Sequence, residues 1–177
     1  MGRLTENSIV MMKNTSFSIT ANIKVPDAGI EGVILAQGGL TGGHSLYVKN
    51  GKPKYCYNFF GLERYYAEGT QTIPPGDHQL RIEFTYDGGG VGKGGTATLY
   101  IDGAEVGNGR IEQTEAFLFS ADETCDVGDE YGSPVTDDYS VKKFTGEVDW
   151  VELELGLDDH NHMIKPEDRI RVAMGIQ

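Results

Sequence analysis

Within the stretch FTGEVDWVELEL, the segment EVDWVE holds three carboxylates, Glu147, Asp149 and Glu152, at spacing i, i+2, i+5. Acids at such spacing can work on a glycosidic bond. A retaining glycosidase needs a carboxylate nucleophile and a second carboxyl that protonates the leaving oxygen, held about 5 Å apart in a cleft. Glu147 would be the nucleophile and Glu152 the acid/base, with Asp149 between them. Strand geometry decides whether they share a face. A straight strand alternates its side chains, which puts Glu147, Asp149, Val151, Leu153 and Leu155 on one side and Val148, Trp150, Glu152 and Glu154 on the other. Both faces then mix charge with apolar surface. A β-bulge near Trp150 and Val151 repairs the pattern. Glu147, Asp149, Glu152 and Glu154 then point one way, and Val148, Val151, Leu153 and Leu155 the other.

Other clusters could bind. Between Gly42 and Tyr66, aromatics accompany His44, Asn58 and Arg64 across three strand-like segments. Sugar sites pair aromatic faces with planar polar groups, so His44, Asn58 and Arg64 are the candidate ligand-binding residues. The plainer reading is that the aromatics fill the core. From Ser120 to Tyr139 the chain is acidic and irregular. Calcium takes roughly six to eight oxygens on such a loop, and Asp122, Asp126 and Asp137 are its candidate ligands, although the EF-hand spacing is absent. The plainer reading is a solvated acidic loop. His160 and His162 lack a nearby third ligand for zinc. Asp87–Gly95, DGGGVGKGG, departs from a phosphate loop at both ends and lies between strand-like runs, so it reads as a hairpin connection. Cys56 and Cys125 sit in no metal or redox spacing; one disulfide is compatible with the sequence, and two separate thiols is the preferred reading.

The elements that must position these residues are strands. The 177 residues suit one domain, and 25 glycines suit many turns. FSITANIKV alternates cleanly, Asn50-Gly51 and Asp102-Gly103 are hairpin signals, and about ten strands follow one another at short spacing. Residues 1–157 read as a β-sandwich and 158–177 as a linker and short helix. That helix opens at Pro166 and carries Ile170, Ala173 and Met174 as an apolar stripe. The net charge of −12, without a basic cluster, makes nucleic acid and anionic membrane poor partners. No apolar run has bilayer length, and the N-terminus shows no signal-peptide core.

Two resemblances follow from the same stretch. EVDWVE is similar to the E-I-D-I-V-E motif of laminarinase- and lichenase-type β-glucanases. Phe144, Gly146, Val148, Asp149 and Val151 also match the closing strand of concanavalin A-like and laminin G-like jelly rolls, F-x-G-x-[IV]-D-x-V, where the Asp belongs to the fold. Glucanases carry the motif mid-chain, whereas here it ends the strand region, which argues against catalysis. Longer segments, among them EGVILAQGGLTGGHSLYVKNGKPKYCYNFFGLERY, EFTYDGGGVGKGGTATLYIDG, FSADETCDVGDEYGSPV and IKPEDRIRVAM, resemble the C-terminal domain of large bacterial arylsulfatases. The resemblance implies an all-β, two-sheet antiparallel jelly-roll sandwich with a short C-terminal helix. It would pack against a sulfatase catalytic domain in cis or in trans and frame a sulfated substrate, with Lys52, Lys54 or Arg64 meeting the sulfate. The resemblance is to bacterial proteins, and the compartment stays open between cytoplasm and periplasm. Neither Cys56 nor Cys125 lies in the C-x-P-S-R core from which sulfatases make formylglycine, so the chain is expected to be no enzyme by itself. The alternative is a free-standing lectin-like carbohydrate-binding module. A glycosidase using Glu147, Asp149 and Glu152 ranks third.

Overall fold

The computed structural model describes residues 4–5, 11–117, 119, 124–156 and 161–165. Eleven strands are described: β1 Leu4–Thr5, β2 Phe17–Val25, β3 Gly32–Gly39, β4 Gly42–Lys49, β5 Lys52–Phe59, β6 Glu63–Glu68, β7 Gly76–Tyr86, β8 Lys93–Ile101, β9 Ala104–Gln113, β10 Thr124–Val127 and β11 Glu147–Leu155. They form two antiparallel sheets, one in the order β1-β10-β3-β4-β5-β6 and the other β11-β2-β7-β8-β9. The expected helix from Pro166 onward lies outside the described residues.

Alternation builds the core. Phe17, Ile19, Ala21, Ile23 and Val25 of β2 meet Leu46, Val48, Tyr55 and Tyr57 of the facing sheet, together with Leu80, Ile82, Phe84, Ala97 and Leu99. Burying such side chains supplies most of the driving force. Cys125 belongs to this core and Cys56 to a smaller cluster with Val33, Ala36, Tyr47, Val135 and Tyr139. Both thiols are free, and burial pushes each up to about 12.

Three hairpins turn on two residues with positive φ: Asn50-Gly51 (52° and 71°), Phe60-Gly61 (52° and 70°) and Asp102-Gly103 (50° and 80°). Asn and Asp tolerate that conformation; a bulky Phe pays for it in strain. Phe60 is held there because its N–H donates to Glu115 Oε1 at 2.9 Å and the next N–H, Gly61, donates to Asn58 Oδ1 at 2.9 Å.

One lateral edge of the sandwich is closed. Gly107 and Gly109 of β9 sit directly under the carbonyls of Glu68 and Tyr66 of β6, with no room for a Cβ. Thr70 N–H donates to Val106 O at 2.8 Å beside them. At the opposite side β1 is the edge strand of one sheet and β11 of the other, and β10, next to β1, does not pair with β11. Gly109→Ala is therefore expected to destabilise by about 1–3 kcal/mol, the range for overpacking. Urea denaturation should show a lower midpoint with an unchanged slope.

Candidate functional site

His44, Asn58 and Arg64 do not form one site. His44 faces the other sheet at 1% exposure, with ring centroids 6.0 Å from Phe17 and 5.5 Å from Phe119. Its Nε2 lies 3.1 Å from Gln37 Oε1. Burial, reinforced by Lys13, lowers its pKa to about 3. Asn58 and Arg64 are cross-strand partners on the opposite face of that sheet. Asn58 is fully buried; its Nδ2 donates to Gly39 O at 2.8 Å and Leu40 O at 3.1 Å, while Oδ1 accepts from Gly61. It ties the β3–β4 turn to the β5–β6 turn and has nothing left for a ligand. Arg64 Nε donates to Val135 O at 3.1 Å. A void of about 10 Å³ beside His44 and Glu115 has room for a single water at most.

Residues 128–143 cover the outer face of that sheet, and Asp138 fastens them. Its carboxylate accepts from Tyr47 OH at 2.6 Å, Lys49 Nζ at 2.8 Å and Lys54 Nζ at 2.6 Å. Partial burial alone would raise the Asp138 pKa; the bonds from Lys49, Lys54 and Tyr47 outweigh it and hold the carboxyl well below the usual range. Glu130, buried among Val135 N–H and Tyr139 OH, is shifted the other way, chiefly by burial. Lys54 also pairs with Glu68 at 2.9 Å. Lys54 and Arg64 are thus committed within the fold, while Lys52 is exposed.

The calcium candidates are separated in role. Asp126 is buried and accepts from Thr124 Oγ1 and Tyr131 N–H. Asp137 is exposed, and Asp122 lies outside the described residues. Among the described residues no three His, Cys, Asp or Glu gather where they could hold a metal ion. Of the two histidines considered for zinc, His160 lies outside the described residues. His162 stacks on Tyr100 at 4.2 Å and meets Glu83 Oε1 at 2.8 Å. With Ile164, which exchanges two hydrogen bonds with Gln79, it covers part of the outer face of the second sheet.

β11 is where polar groups remain open. The expected bulge exists one residue earlier than the pattern suggested: Val148 opposes Ile23 and Trp150 opposes Asn22, leaving Asp149 as the extra residue. Glu147, Trp150, Glu152 and Glu154 consequently oppose Lys24, Asn22, Thr20 and Ser18 on the outer face. Val148, Val151 and Leu153 pack on the core as expected. Leu155, expected inward, is 52% exposed at the strand end. Glu147 and Glu152 are four β2 residues apart in register, about 13 Å of strand. Glu154 is drawn into a network with Ser18 and the buried Arg81, which also bonds Thr20 and Glu83.

Two depressions meet at Val148 and Asp149. One, about 370 Å³, lies between the end of β10 and β11, which do not pair, and is lined by Gly128, Lys143, Phe144, Asp149 and Trp150, among others. The second, about 500 Å³, is lined by Asn22, Lys24, Asp77, Glu147, Val148 and Asp149. Trp150, which the sequence reading used only to place the bulge, forms the aromatic wall; its being the sole tryptophan was the available signal.

No protein-family model matches the chain, and no curated protein matches it. Solved structures do. A sialidase carbohydrate-binding module, CBM40 of the Ruminococcus gnavus IT-sialidase, superposes with a TM-score of 0.54 at 14% identity over 91% of this chain and 84% of that one. The same module bound to α2,3-sialyllactose gives 0.53 at 14% identity over 89% and 82%. A SAP-like pentraxin from Limulus polyphemus gives 0.49 at 17% identity; the match takes in 81% of this chain and 66% of the pentraxin. The fold is a jelly-roll β-sandwich. Among the described residues no helix is long and apolar enough to cross a membrane.

Two outcomes follow from the placement of His44 and Asn58. The native protein excludes the His44 proton that the unfolded chain takes up below about pH 6.5. Stability is therefore full above that pH and falls as pH drops toward 3, by at most about 1.4 kcal/mol per pH unit from this group. His44→Gln should flatten the decline in melts recorded across that window. Asn58→Ala should cost about 3 kcal/mol in denaturant titrations, because it orphans the Gly61 N–H and two turn carbonyls.

Proposed function

We propose that the chain is a non-catalytic carbohydrate-binding module whose site is the groove at the β11 bulge. The observation that carries this reading is Trp150 lining an open groove beside Asp149, with Glu147, Asn22 and Asp77 adjoining. An indole offers an apolar face to the C–H side of a pyranose. Carboxylates and amides accept and donate to its hydroxyls. The volumes match those of small-ligand sites, about 300–1,000 Å³. The likeness in fold to a module solved with sialyllactose supports the same class of ligand.

Cleavage is less well supported. The span of about 13 Å along the strand between Glu147 and Glu152 exceeds the carboxyl separation of about 5 Å that a retaining pair uses. The accessory role beside a sulfatase catalytic domain is supported by the sequence resemblance and by nothing in the geometry of the described residues.

Calorimetry against a panel of neutral and charged oligosaccharides tests the proposal. Wild type should bind at least one, and Trp150→Ala should weaken it about tenfold or more at a temperature where the variant, its half-buried indole removed, is still folded. Absence of binding across the panel, or binding indifferent to Trp150→Ala, would overturn it. Reducing ends released from β-glucan and lost in Glu147→Gln would replace it with the glycosidase.

A further inference from the structure

The groove's charge has a direction. Three carboxylates, Asp77, Glu147 and Asp149, line the joined depressions against two ammonium groups, Lys24 and Lys143. Lys24 stands in register between Glu147 on β11 and Asp77 on β7, so its charge is opposed from both sides. Asp149 is different. As the bulge residue it has no cross-strand partner, it is exposed, and among the described residues it makes no hydrogen bond or ion pair. It lines both depressions, next in sequence to the Trp150 wall. The whole chain carries −12, which adds a negative far field.

Lys143, exposed in the same depression, offsets one of the three carboxylates, so an anionic sugar is disfavoured by the remaining excess and by the far field of the chain. A sugar bearing an ammonium group is not. Its ring could lie on the indole, where a cation is attracted to the aromatic face. Its amine would also have an uncommitted carboxylate in Asp149. We infer that the groove selects amino sugars with a free, protonated amine, such as glucosamine oligomers, over their N-acetylated counterparts and over sialylated or sulfated glycans. This rests on the carbohydrate reading above and deepens it.

The test is calorimetry of the full chain with four probes: a glucosamine tetramer at a pH where its amines are protonated, the N-acetylglucosamine tetramer, 3′-sialyllactose and tetralysine. The expected order is the glucosamine tetramer about tenfold tighter than the acetylated one, with sialyllactose the weakest of the three glycans. The difference should shrink as salt is raised. Asp149→Asn should bring the two tetramers to within about twofold, with most of the loss falling on the glucosamine tetramer. Equal affinities in wild type, or sialyllactose as the tightest ligand, would overturn the inference and leave the carbohydrate reading standing. Tetralysine binding as tightly as the glucosamine tetramer would also overturn it, by showing attraction to charge alone. Silence from all three glycans would overturn both.

Discussion

Glu152 and Glu154 cannot enter the core. In β11 they follow a Val-Asp-Trp-Val run that starts in phase with Ile23 of β2. Without an inserted residue, the alternation would turn Trp150, Glu152 and Glu154 inward and Val151 and Leu153 outward. Desolvating two unpaired carboxylates costs several kcal/mol each. The bulge at Asp149 removes that cost by flipping the phase once. It also leaves Asp149 unpaired and puts Trp150 on the outer face, so the same device that keeps the sandwich dry creates a polar groove.

The rest of the surface is arranged around that exception. Residues 128–143 seal the outer face of one sheet through Asp138, whose three donors come from Tyr47, Lys49 and Lys54. Residues 161–165 cover part of the other sheet through Gln79, Glu83 and Tyr100. The β6–β9 edge is closed by glycines under carbonyls. These contacts use the candidate binding residues that lie near them: Asn58 is saturated, Arg64 is bonded to the covering segment, and Lys54 is shared between Glu68 and Asp138.

Local features were legible in the sequence. β2 reads directly as a strand, and Asn50-Gly51 and Asp102-Gly103 turn where their residue types demand. The bulge was legible because charge on both faces of β11 allowed no straight strand. Its position was misplaced by one residue, since the repair works on either side of Trp150. Non-local features were not legible. β4 is buried almost throughout because one face meets the second sheet and the other meets residues 128–143. Alternation therefore could not say that His44 points inward, away from the face that Asn58 and Arg64 share. Strand order depends on pairings between distant segments, such as β10 with β3, for which periodicity carries no signal.

The central claim is that ligand meets the bulge of β11. Trp150 is the only tryptophan in the chain, so its indole reports that one place. The most direct measurement is its fluorescence during titration with an oligosaccharide whose binding is followed in parallel by calorimetry. The account predicts a saturable change in emission with the same midpoint as the heat. Heat of binding with constant indole emission would contradict it and place the ligand elsewhere on the sandwich.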